Sequence, residues 1–105
     1  MAYNVYVIEL DKEVITSKKF RIKNPNMDPK KPCFYVGQSI HDPETRFKQH
    51  KEGYKSNRFA KKYGIRLEPR IYTRFNPIKN RKEAERTEEW IAEKLREKGY
   101  GVWSN

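Results

Sequence analysis

The sequence predicts a mixed α+β (α/β) fold, and three observations carry that prediction. Short runs rich in β-branched and aromatic residues stand near the start, before Gly37 and after Gly64. Segments with helix caps and helically spaced apolar residues follow the later runs. The 105 residues are enough for one domain with a modest core, which a 36% share of charged residues squeezes further and a 13% aromatic share partly restores. No internal repeat is visible, so residues 1–105 are expected to form a single domain.

The first strand is expected over residues 3–10, where Val5, Tyr6, Val7, Ile8 and Leu10 indicate burial on both faces. Residues 11–32 read as a long basic excursion with loop chemistry over 24–29; Val14-Ile15 and Phe20-Arg21-Ile22 have the composition of strand ends. Phe34-Tyr35-Val36 is the second strand, ended by Gly37. A helix should run from Pro43 to about Glu52, with Asp42 as N-cap, proline at the first position and Phe47 as apolar anchor. Gly53-Tyr54 breaks it, Ser56 or Asn57 caps a short helix carrying Phe59, Ala60 and Tyr63, and Gly64 stops that one. Ile65 to Phe75 returns to strand pattern, with the strand proper expected at 70–74 and Pro69 at an edge, bulge or start. Asn76-Pro77 is a turn. Asn80 and Glu83 resemble a capping pair for a long helix to about Lys98, whose stripe is Ala84, Ile91 and Leu95. Glu88 falls inside that stripe. Residues 102–105 close the chain, expected against the sheet.

The formal charge of +10 calls for a polyanionic partner, most often nucleic acid, or else serves solubility. Its distribution favours a binding face. Residues 46–62 carry seven Lys/Arg against one acid, residues 11–31 seven against three, and the rest ten against ten. One cysteine, Cys33, excludes an intramolecular disulfide and a cysteine zinc site, which suits a reducing cytosol. No apolar run is long enough for a membrane span, and residues 1–3 lead into a strand pattern rather than a signal peptide.

Chemistry concentrates around Cys33 to His50. Arg46 and His50 lie four apart on one helix face, just past a tyrosine strand ended by glycine. A phenol, a guanidinium and an imidazole near one strand end suit phosphate chemistry. Glu88 stands out, because a carboxylate on a core-facing stripe is costly unless it is paired with an arginine or binds a hard cation. Tyr6 and Tyr35 taken singly are ordinary core residues, and His50 taken singly a surface histidine; order and spacing lift the set above its members.

That order resembles the GIY-YIG nuclease family. The first signature tripeptide corresponds to Asn4-Val5-Tyr6 and the second to Tyr35-Val36-Gly37. The family arginine of the next helix matches Arg46, and some branches add a histidine matching His50. The family glutamate, four after an alanine, selects Glu88, and a terminal asparagine matches Asn105. Two departures are plain: Asn4 replaces the first glycine, and residues 11–32 lengthen the spacing between the two tyrosines.

The resemblance implies a central three-stranded antiparallel sheet, over about 3–10, 33–37 and 69–75, flanked by helices. It implies hydrolysis of DNA phosphodiesters with one Mg²⁺ or Mn²⁺ on Glu88. Tyr6 would orient and deprotonate water, Arg46 would offset phosphoryl charge, Tyr35 and His50 would position the phosphate or water, and Asn105 would support the site. Gly37 would let backbone approach the substrate, and Lys48, Lys51, Lys55, Arg58, Lys61 and Lys62 would contact duplex or branched DNA. The alternatives are an inactive nucleic-acid-binding module on the same scaffold and, more remotely, a basic RNA-binding protein. Target choice would fall to residues 11–32, to a protein partner or oligomer, or to DNA structure, in the cytoplasm or at a prokaryotic nucleoid.

Overall fold

In the computed structural model, which describes residues 2–104, β1 (Asn4–Leu10) is the pivot. Val5, Tyr6, Val7 and Ile8 are all at most 1% exposed, so both of its faces are covered. It pairs antiparallel with β2 (Cys33–Ser39) on one side and with β3 (Gly64–Leu67) on the other. β4 (Gly101–Ser104) lies parallel to β2 on the outer side, giving a four-stranded mixed sheet ordered β3-β1-β2-β4.

This corrects the expected three-stranded antiparallel sheet in two places. Gly101–Ser104 forms a strand because α5 (Arg81–Glu97) packs on β4, β2 and β1 and returns the chain alongside β2. A parallel pair needs such a crossover, and four residues carry too weak a signal on their own. The third strand is also shifted: residues 69–75 are α4 (Pro69–Tyr72) running into a 3₁₀ turn, and the strand is 64–67. The Glu68 N–H still donates to the Val7 carbonyl at 2.9 Å, but Pro69 has no N–H to continue the ladder. Proline instead opens a helix turn that buries Tyr72, and the β propensity of residues 70–74 is overridden.

Residues 11–32 are not an open loop. Asp11 caps a 3₁₀ helix (Lys12–Thr16) and Ser17 caps α1 (Lys18–Lys23), so the expected strand ends are helical. Val14 and Phe20 are fully buried, and Phe20 packs edge-on against Phe59 at 5.9 Å. Asn24 is buried and bridges α1 to β4: its amide donates to the Phe20 and Val102 carbonyls, and its oxygen accepts from the Val102 N–H at 2.8 Å. Arg96 of α5 also donates to that oxygen, at 3.3 Å. The asparagine thus stands in for an outer strand at Val102, whose carbonyl also accepts from Arg96 at 3.0 Å.

The remaining helices follow their caps. α2 (Pro43–Glu52) starts at Asp42, whose side chain accepts from the Thr45 N–H at 2.9 Å. α3 (Arg58–Tyr63) starts at Asn57 and ends at Gly64, where a Cβ would meet the Ala60 carbonyl oxygen at 2.4 Å. α5 starts at Asn80 and buries Ala84, Glu88, Ile91, Ala92 and Leu95, the expected stripe with Ala92 added. No helix among the described residues is long and apolar enough to cross a membrane.

Candidate active site

Register sets the two tyrosines. Tyr6 faces Gly37 across the strands and Ile8 faces Tyr35, so Tyr6 and Tyr35 share one face of the sheet, ring centroids 6.2 Å apart. Gly37 explains itself here: a Cβ there would sit 2.5 Å from the Tyr6 hydroxyl oxygen. The glycine makes room for the Tyr6 ring, a reason different from close approach to a substrate.

α2 lays His50 over both rings, at 5.9 Å from Tyr6 and 5.3 Å from Tyr35. Its Nε2 is 2.8 Å from the Tyr6 hydroxyl, and its Nδ1 accepts from the Asn57 backbone N–H at 3.1 Å. A backbone N–H can only donate, so Nδ1 carries the lone pair. In neutral His50 the proton is therefore on Nε2, which donates to the Tyr6 oxygen. Burial, and then the charge of Arg46, lower the His50 pKa to about 4, so the ring is neutral near pH 7.

Tyr6 is 1% exposed, and its pKa is raised well above the usual phenol value. Burial is the largest cause, followed by Tyr35; Arg46 pulls the other way, and the carboxylate of Glu88 adds to the rise. The lowering by Arg46 is thus outweighed in the free protein, where Tyr6 is a neutral phenol. Glu88 itself is 4% exposed on α5.

Arg46 is held by neutral oxygens. It donates to Gln49 Oε1 and the Tyr54 carbonyl at 3.2 Å each, and to the Lys55 carbonyl at 2.6 Å. Lys55 adopts φ 43°, a left-handed turn that closes the loop beneath the guanidinium. Arg46, His50 and Tyr35 line a cleft of about 420 Å³, together with Lys55, Ser56, Asn57, Arg58, Phe59, Lys19 and Trp103. The buried Tyr6 and Glu88 are not in its lining.

The predicted set divides accordingly. The fold brings Tyr6, Tyr35, Arg46 and His50 together, and the charge of Glu88 reaches Tyr6. Lys55 and Arg58 reach the cleft, but Lys48, Lys61 and Lys62 are exposed outside its lining. Lys51 donates to the Lys61 and Gly64 carbonyls, at the end of α3. Asn105 lies outside the described residues. In the sequence Asn57 reads only as one of two cap candidates, with Ser56, because a backbone donor leaves no compositional trace; Trp103 and Lys19 become visible only through the β2–β4 pairing and α1.

Among the described residues no group of three or more His, Cys, Asp or Glu converges, and Glu88 is the buried carboxylate near the tyrosines. That donor set fits Mg²⁺ or Mn²⁺, which is satisfied by one or two carboxylates plus water and phosphate oxygens. It does not fit a closed zinc site, which takes four protein ligands.

A family model described as the GIY-YIG catalytic domain matches residues 3–101, nearly the whole chain. No curated protein and no solved structure matches it significantly.

Proposed function

Since the chain belongs to the GIY-YIG family of nucleases, we propose that it is a metal-dependent endonuclease hydrolysing DNA phosphodiesters, with the DNA against the Arg46–His50 cleft and the buried Tyr6 and Glu88 reached behind its His50 wall. The observation that carries this is the hydrogen-bonded series Asn57 N–H, His50, Tyr6, standing beside a guanidinium held open on neutral carbonyls.

The scissile phosphate would lie against Arg46, whose charge offsets that building on the phosphoryl oxygens. His50 acts as a fixed donor. Its Nε2–H points at the Tyr6 oxygen and favours negative charge there, while its Nδ1 is already occupied by Asn57. Tyr6 would orient the attacking water and, its own proton first lost to solvent, would take the water's proton as the phenolate. Tyr35, on the cleft wall, would position phosphate or water. Glu88 would hold Mg²⁺ or Mn²⁺, which supplies positive charge to the phosphate and leaving oxygen and cancels the carboxylate charge felt at Tyr6.

Glu88→Gln tests the reading, since glutamine keeps the shape and removes the charge. Expected are an unchanged melting temperature, equal or higher DNA affinity in EDTA, and Mg²⁺-dependent cleavage lower by about two orders of magnitude or more. Early melting with normal cleavage while folded would make Glu88 a structural ion-pair partner. A parent protein that binds but never cuts would make the chain a binding module.

A further inference from the structure

Trp103 faces Tyr35 across the parallel β2–β4 pair, on the sheet face that carries the tyrosines. Its ring is partly exposed and forms part of the cleft that Arg46 and His50 also line. Phe59 supports it, ring centroids 4.7 Å apart. Lys19 and Lys23 of α1 stand over the indole, their Nζ atoms 5.9 and 6.0 Å from its centre. Neither lysine is in a salt bridge among the described residues. The hydrolytic chemistry uses none of this corner, and the helix that supplies it comes from the segment lengthening the spacing between the tyrosines.

Resting on the nuclease reading of the same cleft, we infer that this corner is a subsite for one unpaired DNA nucleotide flanking the scissile phosphate. The base stacks on Trp103, and the adjoining phosphate draws Lys19 and Lys23 off the ring on their flexible stems. Two features favour an unpaired strand over a duplex. A cleft of about 420 Å³ lies at the lower end of small-ligand sites, roughly 300–1,000 Å³, with room for one nucleotide and not for stacked base pairs. An aromatic platform beside free cations is also the combination that binds single strands without reading sequence. The enzyme would therefore prefer flapped, gapped or otherwise branched DNA to blunt duplex.

The test uses Trp103 as its own reporter. Trp90 is 46% exposed, meets Phe75 edge-on outside the cleft, and can be changed to phenylalanine to leave one indole. The Trp90→Phe protein is titrated in EDTA with oligo(dT), a blunt duplex, and the same duplex carrying a single-stranded flap. Trp103 emission should be quenched by the first and third probes and not by the second. Trp103→Leu should weaken flap binding by about tenfold, within the range for loss of one stacked base, and leave blunt-duplex binding within about twofold. Flap binding without quenching, or equal losses on both duplexes, would overturn the subsite, and tighter quenching by oligo(U) than by oligo(dT) would overturn its assignment to DNA. If Trp103→Leu does not fold, Lys19→Gln with Lys23→Gln gives the same comparison, and equal losses overturn the subsite again. Cleavage of the panel in Mg²⁺ separates this inference from its premise. Quenching without cleavage sinks the nuclease reading and keeps the subsite; blunt-duplex cleavage without flap quenching does the reverse.

Discussion

The two walls of the cleft are built on different terms. On the α2–α3 side, His50 is bonded at both ring nitrogens and Arg46 is held by three oxygens. On the α1–β4 side, two lysines stand over a partly exposed indole without salt bridges among the described residues. Fixed dipoles suit chemistry, because they need no reorganisation as charge develops. Exposed cations over a flat ring suit recognition, because they fit any base. One sheet face thus carries a rigid half and an adaptable half, and each can be broken separately.

The largest stability effect should come from the anchor of the adaptable wall. The Asn24 side chain makes four hydrogen bonds, two of them to the main chain of Val102. Asn24→Ala should cost about 3–4 kcal/mol by chemical denaturation, at roughly 1 kcal/mol per bond. Replacing residues 24–31 with a short Gly/Ser turn should destabilise the fold similarly, contrary to what their loop composition implies. A loss under about 1 kcal/mol would show that α1 merely leans on the sheet.

The next effect belongs to the rigid wall. Gly37→Ala places a methyl 2.5 Å from the Tyr6 hydroxyl oxygen and must move the ring off His50. A displacement near 1 Å costs about a hundredfold in rate, so cleavage should fall by that order while DNA affinity holds. Normal cleavage by the alanine variant would mean that Tyr6 is not placed by Gly37.

Legibility in the sequence follows the same division. Capped helices and the central strand announce themselves: Asp42, Asn57 and Asn80 cap as expected, and Glu88 lies on the buried stripe. The Tyr6 and His50 positions were legible because strand and helix periods fix which side chains share a face. What was hidden depends on long-range pairing. β4 exists because β2 is beside it, and α1 is buried because Phe20 and Asn24 find Phe59 and Val102. Residues 69–75 misled because β-branched and aromatic residues satisfy a buried helix turn as well as a strand. The tautomer of His50 was beyond reach, since it is set by a main-chain N–H seven residues away.

The smallest predicted effect separates the walls by pH. His50 has a pKa lowered from 6.5 to about 4 by burial and by Arg46. Below pH 6.5 the unfolded chain binds a proton that the folded ring refuses. Stability should therefore be full above about pH 6.5, and lost progressively as pH falls toward 4. The size should be about 2 kcal/mol, less than the full shift at 1.4 kcal/mol per unit because Arg46 is itself partly solvated. Charging the ring also converts Nδ1 from acceptor to donor, so it turns against the Asn57 N–H and breaks the contact that orients Nε2 toward Tyr6. Urea denaturation of the parent and of His50→Gln between pH 4 and 7 measures this directly. The parent should show the slope; glutamine, which cannot titrate, should lose that part of it, while Lys19 and Trp103 keep the same arrangement in both. Quenching of Trp103 by oligo(dT) at pH 5 should accordingly survive in both proteins. An identical pH slope in parent and variant would mean that the His50 ring is already solvated, and that the rigid wall is no more fixed than its neighbour.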